Sequence, residues 1–328
     1  MTQDMPPPQI SVSIINYRTA EMTLDCVRSV LQAAADVPDI TIHTYVVDNA
    51  SGDGSADKIE DWINAENVSA HVTLIRSPTN SGFSHGHNQG ITASRSDFVL
   101  VLNSDALLRP GFFAPLLAAT QEHPKAGRFV PRLEEADGTP QVSCFRWHTA
   151  FSELIRGAQS GPVTRAFARW NVPLSFDPKP TDINWVSFAC VLLRREMIDA
   201  IGLMDEGYFL YFEDCEYNLR AARAGWTPAL VSQAQAAHVG GGSGTLVSSQ
   251  KARARLPEYY WRSRSRFFYQ AHGRLGLLAA NLCWTAGWAL ARLRHLIRRR
   301  PPTAAIGEPI DIWTGFTAPL ATDGRPGS

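Results

Sequence analysis

Cysteine is scarce in this chain of 328 residues. There are five, Cys26, Cys144, Cys190, Cys215 and Cys283, widely spaced and without a C-x-x-C pair. An odd, scattered set argues against a disulfide framework or a cysteine-built zinc site and fits a reducing compartment. Long apolar runs are also few. The stretch 275–291 has 17 residues without a charge. As a helix it spans about 25 Å, short of the roughly 30 Å hydrocarbon core of a bilayer. It also holds Gly276, Asn281, Thr285 and Gly287, so it reads as a buried or interfacial helix. The opening residues MTQDMPPPQI lack the basic and apolar regions of a secretory signal. Neither G-x-G-x-x-G nor a P-loop is present, which leaves a Rossmann dinucleotide site or a Walker-type site without support.

Net charge is missing as well: 31 Lys and Arg balance 31 Asp and Glu. An average of zero argues against a protein that binds nucleic acid through bulk positive charge. The average conceals a division. Residues 251–300 carry 12 Lys/Arg against the single acid Glu258, a charge of +11, so the remainder is −11. What is plentiful is ordinary globular material, 45% hydrophobic and 19% charged, which excludes disorder over most of the length.

The first 120 residues alternate short β-rich runs with helical patterns. ISVSIIN at 10–16, TIHTYVVD at 41–48, 71–76 and the unbroken FVLVL at 98–102 read as strands. Leu24, Val27 and Leu31 after an N-cap at Thr19, and Ile59, Trp62 and Ile63 after a cap at Ser55, read as helix faces. Such alternation predicts an α/β domain with a mainly parallel sheet. Farther on, Asp137-Gly138 reads as a hairpin turn between 128–133 and 141–146. Residues 149–180 read as a loop with short helices, 185–194 as one strand, 213–224 as a helix closed by Gly225, 226–232 as a strand, and 301–328 as a mobile tail.

In open α/β sheets, ligands bind beyond the carboxyl ends of the strands. Asp48 and Asp105 fall at such ends, where each can serve a ribose, a base or a metal, or simply cap the next turn. The loop NSGFSHGHNQG at 80–90 offers glycines and amides suited to a phosphate or sugar. Glu213, Asp214 and Glu216 start a helix whose dipole alone would favour acids there; the functional alternative is that one points into the cleft as a general base. His238, before VGGGS, is either structural or a ligand.

Taken in order, SVSIINYR, VVDNASGDGS, NSGFSHGHNQG, VLVLNSD, MDEGYFLYFEDCEYNLRAARAGW and HVGGGS resemble a family 2 glycosyltransferase, over roughly residues 10–270. The branch they resemble is the rhamnosyltransferase-like one. The resemblance implies a GT-A fold, a single Rossmann-like α/β domain at 10–245 after a tail at 1–9. A basic helical C-terminal extension at 246–300 and a flexible tail at 301–328 would follow.

It also implies roles. Asn16, Tyr17 and Asp48 line the base and ribose pocket. Asn80, Gly82, Phe83 and Asn88 border the donor. Asn103, Ser104 and Asp105 occupy the D-x-D position, with Asp105 and His238 toward a divalent cation, Mg²⁺ or Mn²⁺. Asp214 is the catalytic base, supported by Glu213 and Glu216, whose charges should raise its pKa. Asn103 departs from the family's first Asp and offers a carbonyl without a charge, which leaves Asp105 the sole strong metal ligand of the motif. Tyr208, Phe209, Tyr211 and Phe212 read as core; Trp185 is retained as an acceptor contact.

The implied activity is inverting transfer of a sugar, rhamnose first, from a nucleoside-diphosphate donor such as dTDP-rhamnose. The acceptor is a glycan or lipid-linked glycan of cell-surface polysaccharide synthesis. UDP-galactofuranose or UDP-glucose is the alternative donor, and a non-catalytic nucleotide- or glycan-binding relative is the alternative class. Arg262, Arg264 and Arg266, alternating with Ser, read as a basic helix face on anionic lipid at the cytoplasmic face of the membrane. A solvated face or a contact between copies of the chain is the competing reading.

Overall fold

A computed structural model describes residues 9–238, 254–298 and 306–321. The Gly-rich segment 240–244 singled out in the sequence lies outside the described residues. Three apolar runs become neighbouring parallel strands, β1 (Ile10–Asn16), β2 (Ile42–Asp48) and β4 (Phe98–Asn103), with β3 (Val72–Arg76) outside β2. Val12, Ile14, Val46, Leu100 and Leu102 are fully buried in one core cluster. Each such side chain stabilises the fold by about 1.5–3 kcal/mol relative to exposure.

The sheet has eight strands, in the order β3-β2-β1-β4-β9-β6-β10-β5. The later members are β5 (Ala106–Leu108), β6 (Ala126–Glu134), β9 (Cys190–Arg194) and β10 (Thr227–His238). β9 runs antiparallel to β4 and β6, and β5 antiparallel to β10; the remaining ladders are parallel. Helices α1 (Ala20–Ala34), α2 (Ser55–Ala65), α3 (Phe83–Ala93) and α4 (Phe113–Glu122) alternate with these strands, and α7 (Arg195–Ile201) follows β9. On α1 the buried stripe is Leu24, Val27 and Val30, close to the expected face.

Several local expectations change. Thr19 precedes α1, but its side chain makes no cap; Gly54 at φ 86°, rather than Ser55, precedes α2. The single strand expected over 185–194 is two. β8 (Trp185–Val186) pairs with β7 (Cys144–Phe145), and β9 joins the large sheet, because Ser187 to Ala189 turn the chain between the ladders. The Asp137-Gly138 turn forms, with Gly138 at φ 87° and Glu134 bridged to Pro140. Its returning arm does not pair along β6, whose neighbours are β9 and β10.

The chain divides into two compact units. The first gathers Met1–Ser143, Val186–Glu206 and Arg220–Ser243 around the large sheet; the second gathers Cys144–Trp185, Gly207–Leu219 and Gly244–Ser328. The second unit takes in two segments that precede residue 245, Cys144–Trp185 and Gly207–Leu219. That unit contains α5 (Ala150–Ala158), α6 (Gly161–Ala166), a long helix α9 (Glu258–Arg298) broken at Gly273 (φ 69°), and a short α10 (Glu308–Asp311). Helix α8 (Glu213–Arg223) begins in its middle segment.

α9 is no appendage. Its Phe267, Phe268, Leu277 and Ala280 form a core with Trp185, Tyr208, Phe212 and Cys215. It crosses α5 so closely that a Cβ on Gly157 would sit 2.3 Å from the Trp284 carbonyl oxygen. The expected tail is likewise ordered in part: Ile312 is fully buried in a cluster with Leu256, Trp261 and Trp284.

Candidate active site

Strand register builds the first part of the site. Asn16 lies opposite Asp48, and Ile15 opposite Asn103, so three parallel strands bring polar residues to one carboxyl edge. Asn16 is fully buried and its amide is heavily used. Its Nδ2 donates to Asp48 Oδ1 (2.6 Å) and Ser51 Oγ (3.1 Å), while its Oδ1 accepts from Thr23 Oγ1 (2.9 Å). Ser51 donates to Asp48 through its hydroxyl (2.5 Å) and its N–H (3.1 Å). Asn16 thus orients Asp48, and Tyr17, half-buried under the Arg18 guanidinium, is the more open of the pair. A cleft of about 430 Å³ opens nearby between the starts of α1 and α2, lined by Arg18, Thr19, Glu21, Asp53, Ser55 and Lys58. None of the other proposed site residues lines it.

The glycine-rich stretch 80–90 is mostly helix α3 rather than a phosphate-binding loop. Its small residues let the helix lie on β1: a Cβ on Gly90 would meet Ser13 Oγ at 2.4 Å. His87 is buried there 2.9 Å from the same hydroxyl, and burial pushes its imidazole down to about 3. Asn80 Oδ1 accepts from Gly82 N (3.1 Å) and Asn49 Nδ2 (2.9 Å), which shapes the turn into α3 around Gly82 at φ 93°. Phe83 packs edge-on to His87 with ring centroids 4.4 Å apart. Asn88 holds the Met204 backbone at both ends of its amide (2.9 and 3.0 Å) and Glu206 Oε1 (2.9 Å). Asn88 therefore positions the 204–206 turn, where His85 also meets Glu206 (2.8 Å).

The second part follows from the β5–β10 ladder. His238 is opposite Ala106, which brings its ring beside Asp105, the residue just before β5. His238 Nε2 and Asp105 Oδ1 are 3.3 Å apart, with both side chains largely buried. Gln141, absent from the sequence reading, bonds both the ring and the carbonyl of His238 (3.0 and 2.7 Å). Ser104 is buried, Asn103 is half-buried, and the Asn103 backbone is fixed by Ala189 O (2.9 Å) and Cys26 Sγ (3.5 Å). Among the described residues no three His, Cys, Asp or Glu side chains converge as a complete metal cage. A carboxylate oxygen beside an imidazole nitrogen is nevertheless a donor set that suits Mn²⁺ or Mg²⁺ completed by phosphate oxygens and water.

The acids Glu213, Asp214 and Glu216 open α8 in the second unit. Tyr211 and Phe212, at φ 70° and 67°, stand in left-handed conformations that cost a non-glycine residue about 1–3 kcal/mol each. Aromatic packing against Tyr260 and Phe267 holds them there. The helix consequently starts abruptly at Glu213-Asp214. Glu213 and Glu216 are buried, and Asp214 is the more open. Burial, and next the Asp214 charge, push the Glu213 carboxyl well above the usual carboxylate range. Glu213 is the enclosed carboxyl of the two, and among the described residues its Oε2 has no hydrogen-bond partner. Asp214 Oδ1 accepts from the Cys215 N–H (2.8 Å).

Trp185 belongs to the packing core. It is 8% exposed, stacks on Phe145 at 4.1 Å and gives its Nε1–H to Arg146 O (2.8 Å). It is not placed as an acceptor contact, since its ring and its N–H are engaged by neighbours in the fold.

Residues 7–277 match the family model described as "Glycosyltransferase like family 2". The chain belongs to this family. It is 28% identical over 208 residues to an N-acetylglucosaminyl-diphospho-decaprenol L-rhamnosyltransferase of Mycobacterium tuberculosis, covering 62% of this chain and 64% of that one. It is 24% identical over 218 residues to the low-salt glycan biosynthesis hexosyltransferase Agl10 of Haloferax volcanii, covering 65% and 62% of the two chains. The chain thus spans just under two thirds of the length of these relatives. Among solved structures, the mannosyltransferase PcManGT from Pyrobaculum calidifontis, in complex with GDP-Man and Mn²⁺, superposes with a TM-score of 0.56. The identity is 16%, covering 97% of this chain and 88% of that one. This family 2 chain therefore has the mixed α/β fold of GT-A glycosyltransferases, with a C-terminal helix.

Proposed function

We propose that this family 2 chain is an inverting, metal-assisted glycosyltransferase that moves a sugar, rhamnose first, from a nucleoside-diphosphate donor to a hydroxyl of a lipid-linked glycan. The observation that carries the reading is the Asp105–His238 pair, 3.3 Å apart at the carboxyl edge of the sheet. The rhamnose and lipid-linked parts rest on the mycobacterial relative. UDP-galactofuranose or UDP-glucose stays the alternative donor.

Asp48, fixed by Asn16 and Ser51, and Tyr17 receive the base and ribose. Asp105 and His238 hold the divalent ion, with Asn103 and Ser104 beside them. When bound, that ion offsets the charge of the departing diphosphate as a Lewis acid. Asp214 takes the proton of the attacking acceptor hydroxyl. Burial raises the pKa of Glu213, so the more open Asp214 is the better placed of the two to act as the base. A single carboxylate acting on the acceptor corresponds to one displacement and inversion at the anomeric carbon. The experiment that tests the reading is calorimetric titration with nucleoside-diphosphate sugars.

The surface we propose for membrane contact is not the basic face expected at 262–266. Arg262 pairs with Glu258 (2.8 Å), Arg264 is fully buried on Glu153, and Arg266 donates to Leu320 O (2.8 Å). That part of α9 is enclosed, so these cations serve the fold. The exposed surface lies farther along: Leu290, Leu293, Leu296 and Ile297 are 53–74% exposed beside Arg292 and Arg294. Exposed leucines interleaved with arginines suit the interface of an anionic bilayer. No helix among the described residues is long and apolar enough to cross a membrane. Replacing Leu293, Leu296 and Ile297 by Ser should abolish co-sedimentation with anionic vesicles. Unchanged pelleting would remove this surface from the account.

A further inference from the structure

We propose that Gln141 is a positioning residue that fixes the ring tautomer of His238 and presents its Nε2 lone pair to the ion site at Asp105; this rests on the metal-assisted reading above. The Asp137-Gly138 turn brings Gln141 back beside β6, where its N–H bonds Leu133 O at 2.8 Å. β10 runs parallel to β6 and ends at His238. The two residues, 97 positions apart in sequence, meet there through two hydrogen bonds.

For the neutral ring these bonds leave one arrangement of protons. The His238 carbonyl oxygen only accepts, so the amide nitrogen of Gln141 must be the atom 2.7 Å from it. Gln141 Oε1 is then the atom 3.0 Å from His238 Nδ1. An amide oxygen also only accepts, so Nδ1 must carry a hydrogen. A neutral imidazole has a single N–H. Nε2 is therefore a lone pair, and it faces Asp105 Oδ1 at 3.3 Å.

Two acceptors at that separation repel each other unless a cation lies with both of them. Among neutral rings, the Gln141 amide thus holds the tautomer that binds an ion and disfavours the Nε2–H tautomer that would hydrogen-bond Asp105. Metal-ligating histidines commonly have such an outer partner, and losing it weakens metal binding. Free imidazole side chains have no such constraint, so the tautomer is a direct reading of what Gln141 does.

The test uses the full chain with ¹⁵N-labelled histidine, metal-free and in alkaline buffer, with the His238 signal assigned by its loss in His238→Gln. Wild type should carry the proton on Nδ1. Gln141→Met, of similar size but without hydrogen-bonding atoms, should shift His238 toward the Nε2–H form. It should also weaken Mn²⁺ binding roughly 10- to 100-fold in a calorimetric titration. Gln141→Glu keeps an acceptor for Nδ1–H and should retain the wild-type tautomer. Nε2–H in wild type, or equal Mn²⁺ affinity in wild type and Gln141→Met, would overturn the proposal. If the tautomer behaves as expected but wild type binds no Mn²⁺, the assignment of Gln141 to the ring stands and the metal-assisted reading fails instead.

Discussion

Replacing Asp214 by Asn is expected to lower kcat roughly 10²- to 10⁴-fold, the range by which a positioned general base contributes. The substitution preserves size and can still accept the Cys215 N–H bond, so the start of α8 should survive. It removes the one open carboxylate of the Glu213–Asp214 pair. Glu213 is the poorer base, because burial raises its pKa. Donor binding involves residues of the other compact unit in this account, so the affinity for a nucleoside-diphosphate sugar should change less than about threefold, a difference of under 1 kcal/mol. A loss confined to kcat marks a group that acts in the transition state. Normal turnover by Asp214→Asn would transfer the base assignment to another residue.

The largest expected effect on stability lies in the second unit. Glu153 is 2% exposed and Arg264 fully buried. Glu153 Oε2 accepts from Arg264 Nε (3.1 Å) and Nη2 (2.8 Å) and from Arg156 Nη2 (2.8 Å). Arg156 continues to Glu308 ahead of the buried Ile312, and Arg264 also donates to Asn281 Oδ1 (2.8 Å). Burial opposes the Glu153 charge, but the two guanidiniums prevail and hold its carboxyl at about 2.

Glu153→Ala leaves Arg264 charged, enclosed and without its carboxylate. Breaking a buried pair in this way costs about 3–5 kcal/mol, which should appear as a lowered denaturant midpoint for the transition that includes α5 and α9. Replacing both Glu153 and Arg264 by Met should restore most of the loss, because the double change leaves less uncompensated charge. By contrast, breaking the exposed Arg28–Asp25 pair should cost less than about 1 kcal/mol. A Glu153→Ala protein as stable as wild type would show that the network carries no such weight.

How much of this was legible in the sequence depended on the range of the contact. The strands at 10–16, 41–48 and 98–102 follow from their apolar runs, and Asp48 and Asp105 follow from the rule that ligands gather at carboxyl ends. α3 was hidden because 80–90 carries glycine at helical positions and no side-chain cap, features that read as a loop. Those glycines are there because the helix lies on β1, a tertiary reason that local propensity does not contain. The same holds for the arginines. Arg264 looks like part of an exposed basic face until Glu153, 111 residues before it, is seen to be its partner. Gln141 belongs to no motif, and its meeting with His238 depends on where β6 and β10 end. Asn16 and Asn88 were expected at the base pocket and the donor border; in the fold their amides are engaged by Asp48 and by the 204–206 turn.

The most direct measurement of the central claim is calorimetric titration of dTDP-rhamnose, UDP-galactofuranose and UDP-glucose into wild type and Asp105→Asn, each in Mn²⁺ and in EDTA. The account predicts that wild type binds a nucleoside-diphosphate sugar in Mn²⁺, dTDP-rhamnose most tightly. Chelation should weaken that binding, and Asp105→Asn in Mn²⁺ should match wild type in EDTA. Absence of binding by every nucleoside-diphosphate sugar in either condition would contradict it.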